Sequence, residues 1–201
     1  MIQERHIDDI SAEKIARAYL EYQFREGEKS IFSLLGDEKA VIAYLKAGIK
    51  TLSRCGWLFR SEGGEAWIAI DFSDDRVPFS AMLSNLAQAV RAVGLCRMAR
   101  LAKLRNGDRK PLAAAMRRAG KPFVHVEMLC VLPQWQKQGW MRRLTEYAFS
   151  IADERGLDCV LETDESAKAE MYMHLGMRLA QIRRVSSEIA FYDLIREQPR
   201  S

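Results

Sequence analysis

Residues 122–144, "PFVHVEMLCVLPQWQKQGWMRRL", constrain the fold more than any other stretch of the chain. From Phe123 to Val131 the run is almost continuously apolar, which suits a strand inside a sheet with both faces covered. Pro133 stops it, a short loop containing Gly139 follows, and from Trp140 apolar residues recur at helical spacing (Leu144, Ala148, Ile151) until Gly156. A buried strand that feeds a helix this way leaves the first helical amides without intrahelical partners, at the positive end of the helix dipole. Lys137 before the turn, with Arg142 and Arg143 after it, adds full charges to those partial ones. The terminus suits a diphosphate or pyrophosphate; the alternative is an ordinary loop that binds nothing.

The flanking elements extend the pattern. "SAEKIARAYLEYQFREG", residues 11–27, reads as an amphipathic helix with Ser11 as N-cap and Ile15, Ala18, Tyr19 and Tyr22 on one face. Asp37 caps a second helix striped by Val41, Leu45 and Ile49 and ended by Gly56. "GWLFRSEGGEAWIAIDF" is a hairpin signal, "LDCVLET" a strand, "SAKAEMYMHLG" a helix, and residues 177–195 a closing strand pair around Val185-Ser186-Ser187. The order predicts a mixed α/β fold in one domain, residues 1–201.

Residues 78–119 stand out as a helical tract broken at Asn106-Gly107-Asp108. Arg91, Arg97, Arg100, Lys103, Arg105, Arg109, Lys110, Arg117, Arg118 and, just beyond, Lys121 are met there by one acid, Asp108. Most of the chain's positive excess is concentrated here, and the local surplus is larger than the whole chain's net charge of +4. It reads either as a solvated face or as a surface turned towards an anion, which favours an acidic acceptor. Aromatic residues are not interleaved with the cations as a nucleic-acid stacking platform requires, so nucleic acid is not an expected partner.

No apolar run approaches the roughly 20 residues of a membrane-spanning helix. The start, "MIQERHIDDI", carries charges where a secretory signal needs an apolar stretch, so the expected compartment is the cytoplasm. Cys55, Cys96, Cys130 and Cys159 are widely spaced with no C-x-x-C pair, and neither a metal site nor a disulfide framework is expected.

Over residues 124–195 three stretches resemble the GNAT superfamily of acyl-CoA-dependent N-acyltransferases. "LCVLPQWQKQG" is similar to the family's strand, Pro and Gln/Arg-x-x-Gly-x-Gly/Ala signature, here Gln136-Lys137-Gln138-Gly139-Trp140-Met141. "LDCVLET" matches the next strand, and "AEMYMHLGM" the helix ending Tyr-x-x-Leu-Gly-Phe, with Met177 for Phe. The resemblance implies a splayed mixed sheet flanked by helices, with residues 1–123 as a variable acceptor-side half, the basic helical insertion at about 78–119 lying outside the common core, and residues 124–201 as the acetyl-CoA half.

Acetyl-CoA would lie between strands 124–131 and 158–162, its pantetheine arm paired with the backbone of Leu129, Cys130 and Val131. Its pyrophosphate would rest on the amides from Lys137 to Arg142, with Arg143 or the insert near the 3′-phosphate and Lys168 reaching a cofactor oxygen. Tyr172 takes the family position of the general acid that protonates the leaving thiolate. Glu127 is the first candidate base for a primary amine and Glu162 the second, each with an alternative as a paired edge carboxylate. His125 and His174 are expected to be structural or exposed. Two positions depart from the pattern: Met141 replaces the final Gly or Ala, and the usual Asn before the Tyr is absent, leaving Glu165 or Lys168. These departures keep open a degenerate CoA-binding or interaction module without turnover, and the oligomeric state is open.

Overall fold

The computed structural model describes residues 1–21, 24–35, 37–104 and 107–199. A seven-stranded sheet runs in the order β1-β2-β3-β4-β5-β7-β6, built from β1 (Ile2–Gln3), β2 (Leu58–Arg60), β3 (Ala66–Phe72), β4 (Phe123–Val131), β5 (Asp158–Thr163), β6 (Arg178–Arg184) and β7 (Ala190–Arg196). All neighbours are antiparallel except β4 and β5, so the sheet is mixed as expected.

Helices α1 (Asp9–Leu20) and α2 (Glu38–Arg54) cover one face through Ile15, Ala16, Ile42 and Ile49, which pack on Trp67, Met128 and Cys130. Helices α6 (Trp140–Arg155) and α7 (Ser166–His174) cover the other, where Leu144, Ala148, Ala169 and Tyr172 meet Ile68, Val124 and Leu161. The first helix begins earlier than its Ser11 signal. Asp8 is the N-cap, accepting from the Ser11 amide at 2.8 Å and the Ser11 hydroxyl at 2.7 Å, so the hydroxyl is consumed by the cap rather than supplying it. This helix ends at Leu20, short of Gly27, and Tyr22 lies outside the described residues.

The 78–119 tract is three helices, α3 (Phe79–Val93), α4 (Leu95–Leu104) and α5 (Leu112–Arg118). Gly94, at φ 82°, makes a break that the sequence reading missed; of the second break, Arg105 and Asn106 lie outside the described residues. α3 packs on α2, and α4 on α3 and the 3-10 helix Ile31–Leu35, whereas α5 packs Met116 against Phe123, Val160 and Ile195. Asp108 and Asp193 tie the tract to the sheet edge by accepting from the Arg184 amide (2.9 Å) and the Leu112 amide (2.9 Å).

One irregularity positions everything that follows. Ala69 pairs with Met128 but Ile70 with Val126, which leaves Glu127 as the extra residue of a β-bulge. β4 and β5 pair only from Phe123↔Asp158 to Val126↔Leu161 and part beyond, so the splay opens at Glu127 and Glu162. The bulge also reverses the strand's alternation. Before it Phe123 offers its carbonyl to Ser73 on the β3 side; after it Leu132 sends its amide to Glu65 on that side. By alternation Leu129 and Val131 turn their backbone groups into the opening, while Cys130 turns its own to β3. The expectation that Cys130 offers free backbone groups is therefore corrected.

Candidate active site

Two cavities meet at the splay and share Tyr19, Leu129 and Lys168. The smaller, about 450 Å³, runs over the start of α6. Its floor includes Val131, Gln136, Lys137, Gly139, Met141 and Arg142, and Met171 and His174 of α7 close its far side. The first intrahelical bond of α6 is Arg143 N–H to the Gly139 carbonyl, so the amides before it have no helical acceptor. Gly139 gives no side-chain cap and no acid occupies the first turn. Helices α1 and α2 differ: Asp8 and Asp37 cap them, and Asp9 and Glu38 follow. A cap is worth about 0.5–2 kcal/mol, and α3, α5 and α7 lack a side-chain cap too. What sets α6 apart is that its uncapped start lines a cavity residue by residue from Gly139 to Arg142, an arrangement that suits an anion. Lys137 adopts φ 61°, the left-handed region that costs a non-glycine residue about 1–3 kcal/mol, and this strain sits at the same turn.

Not every residue expected here reaches the cleft. Gln138 folds back to donate to the Gln134 carbonyl at 3.1 Å, and Arg143 stacks on Trp140 at 4.7 Å from the ring centroid; neither lines it. Gln136 donates to the Val131 carbonyl at 3.2 Å, tying the loop to the strand. Met141 lines the cleft while packing against the core under α6, and Glu165 is buried beside Lys168 (3.5 Å) rather than facing the α6 terminus.

The larger cavity, about 610 Å³, lies across Leu129 from the smaller one. Glu127, Glu162, Asp164, Lys168 and Tyr172 line it near the splay. Tyr172 and Lys168, one turn apart on α7, share a face; Tyr172 is buried.

The profile of the Acetyltransferase (GNAT) family matches residues 8–177, which includes both cavities' main elements. The chain belongs to the GNAT acetyltransferase family. An uncharacterised N-acetyltransferase of Schizosaccharomyces pombe is 35% identical over 79 residues, 39% of this chain and 33% of the relative, so the match spans about a third of that protein's length. An agmatine N-acetyltransferase variant in its apo form has a TM-score of 0.58 at 16% identity, covering 95% of this chain and 96% of that one. The histone acetyltransferase HPA2-related structure from Corynebacterium glutamicum likewise gives 0.58 at 13% identity, covering 98% and 96%. At these identities the solved structures show the GNAT fold alone.

In this member of the GNAT family, the two candidate bases have different surroundings. Glu162 pairs with the Arg183 guanidinium, which is fully buried and also bonded to Asp193 at 3.0 Å. Glu127 approaches His125 Nδ1 at 3.3 Å, and the same nitrogen lies 3.0 Å from Asp71, whose other oxygen takes Arg117. Burial pulls the His125 imidazole down, but Asp71 and Glu127 outweigh it and hold the group at about 9. His125 is thus a buried imidazolium donating to two carboxylates. Although Asp71, His125 and Glu127 converge closely enough to hold a metal ion, the imidazolium and Arg117 already supply the positive charge, so an ion-pair network fits the donor set better.

Tyr19 is the residue that sequence reasoning missed. It was read as part of an apolar stripe, yet its hydroxyl donates to the Leu129 carbonyl at 3.0 Å where the cavities join. Burial pushes that hydroxyl well above its usual 10, so it stays a donor. The expectation of an acidic acceptor is corrected too. Among the described residues the insert lines the cavity through Met82, Asn85, Leu86, Ala89, Met98 and Leu101, and none of its cations does. Amphipathic helices bury their apolar stripe, which is why the charge count misled.

Proposed function

We propose that this chain is an N-acetyltransferase that moves the acetyl group of acetyl-CoA to a primary amine by direct attack. The observation that carries the proposal is the meeting of an uncapped helix terminus and a carboxylate-lined cavity at Leu129. The open α6 amides with Lys137 and Arg142 suit the pyrophosphate, and Leu129 and Val131 turn peptide groups towards a pantetheine arm. Acetyl-CoA supplies the activated acyl group and its thiol leaving group.

Glu127 takes the ammonium proton through water, the amine nitrogen bonds to the acetyl carbon, and the carbon–sulfur bond breaks as the Tyr172 hydroxyl gives its proton to the departing sulfur. The second proton of the attacking nitrogen returns through water to the Tyr172 oxygen, leaving the amide, free CoA and one proton on Glu127 for solvent. Glu162 is the weaker candidate because Arg183 already engages it. A covalent route through Cys130 is disfavoured: burial pushes that thiol up to about 12, leaving little thiolate at neutral pH. Met141 packs partly on the core while lining the cleft, so the interaction module stays the rival reading that turnover assays decide.

The test is thiol release from acetyl-CoA with a panel of primary amines. Amine-dependent release, intersecting initial-rate lines and a large loss in Tyr172→Phe with retained acetyl-CoA binding are expected. Acetyl-CoA binding with no amine-dependent release by any member would reverse the reading in favour of the module.

A further inference from the structure

We infer that the acceptor is a primary monoamine with an aliphatic or aromatic tail, seated against α3 and α4; this rests on the acetyl-transfer reading above. Charge and apolar surface are segregated along the larger cavity. Its carboxylates, Glu127, Glu162 and Asp164, all come from β4, β5 and the residue after it, beside Leu129. Arg183 is shared by Glu162 and Asp193, which leaves that group net negative. Asp164 accepts from the Ser30 hydroxyl at 2.9 Å and the Ile31 amide at 3.2 Å, neutral donors that leave its charge in place. Lys168 also lines this end but is offset by Glu165 at 3.5 Å, and Glu127 is offset by His125. The excess negative charge that draws an ammonium to this end, where the reacting nitrogen is needed, therefore comes from Asp164 and the Glu162–Asp193 group.

The opposite wall comes from α2, α3, α4 and the 3-10 helix Ile31–Leu35, through Phe32, Leu52, Met82, Leu86, Met98 and Leu101. Among the described residues no carboxylate lines it, and its polar members, Asn85 and Tyr44, are neutral. Met82 and Leu86 line the cavity although they remain about half exposed (49% and 50%), so a ligand tail would cover apolar surface that the chain leaves in water. A cavity of about 610 Å³ is within the usual roughly 300–1,000 Å³ of small-ligand sites. A diamine of matched length would place its second ammonium against this wall without a counter-charge, which burial penalises.

The experiment measures acetyl transfer and equilibrium binding side by side for ethyl-, butyl-, hexyl- and octylamine and for 1,8-diaminooctane, on the full chain. Transfer efficiency and affinity are expected to rise about fourfold per added methylene over part of the series, and octylamine to exceed the diamine at least tenfold. In Leu86→Lys, octylamine affinity should fall at least tenfold, with acetyl-CoA titration reporting that the variant is folded. A response flat in chain length, or a diamine equal to octylamine, overturns the tail assignment. Octylamine binding that Leu86→Lys abolishes, without transfer, keeps the tail seat and instead refutes the acetyl-transfer reading.

Discussion

The two cavities on either side of Leu129 are built by opposite means. The smaller one takes seven of its lining residues from one contiguous turn, Trp135 to Arg142, whose offer to a ligand is backbone: amides with no helical acceptor, no side-chain cap and no acid in the first turn. The larger one is side chains from α1, α2, α3, α4, β4, β5, α7 and β7, and its charges are already knitted into networks through His125 and Arg183. A backbone site binds whatever carries phosphate, so it can serve any family member. A side-chain site has to be assembled for its own ligand.

That contrast can be broken at defined points. The largest effect is expected at Tyr172: Tyr172→Phe should lower kcat about 100-fold or more, the usual scale of a lost general acid, while acetyl-CoA affinity by titration stays within about threefold. The His125 network should show in stability. Because its pKa rises from 6.5 to about 9, the imidazolium stabilises the fold fully below about 6.5, and that contribution, up to roughly 3 kcal/mol, is lost as pH rises through 9. Thermal denaturation of the parent chain from pH 6 to 10 should therefore slope downward over that window, and Asp71→Asn should flatten the slope.

Glu127→Gln should cost about 10- to 100-fold in kcat/KM, with the loss smaller at high pH where the amine is already neutral. A pH-independent loss would identify Glu127 as a positioning partner of His125 instead. Tyr19→Phe should destabilise by about 1 kcal/mol in urea denaturation, the net value of one hydrogen bond. Met141→Gly is the smallest in binding, with acetyl-CoA affinity changed less than about threefold, while stability falls by about 1 kcal/mol of helix propensity and further by the core packing the side chain gives up.

The same contrast explains what could be read in advance. The strand, loop and helix from Phe123 to Arg155 were legible because they depend on local periodicity and on Gly139 and Gly156, and their boundaries agree with the structure. The splay was legible only through family resemblance; the Glu127 bulge has no local signature, since it depends on how β3 registers against β4. Asp71 and His125 are 54 positions apart and Tyr19 and Leu129 are 110 apart, so nothing in either neighbourhood marks a shared role. Tyr19 and Ala18 fit a stripe equally well; only packing shows that one hydroxyl reaches a carbonyl. The insert misled for a related reason: counting its cations reports composition, whereas the cavity meets the other side of the helices.

The most direct test of the central claim is to give α6 the first-turn acid that α1 and α2 possess. Acetyl-CoA would be titrated calorimetrically into the parent chain and into Arg142→Glu, an exposed first-turn position that lines the cleft. The account predicts micromolar binding by the parent, weakened by added salt, and a loss of at least tenfold in the variant with stability little changed, because the first-turn acid offsets the loss of the Arg142–Glu146 pair (3.9 Å). Equal affinity in the two proteins, or no binding by the parent, would contradict the α6 terminus as the acetyl-CoA site.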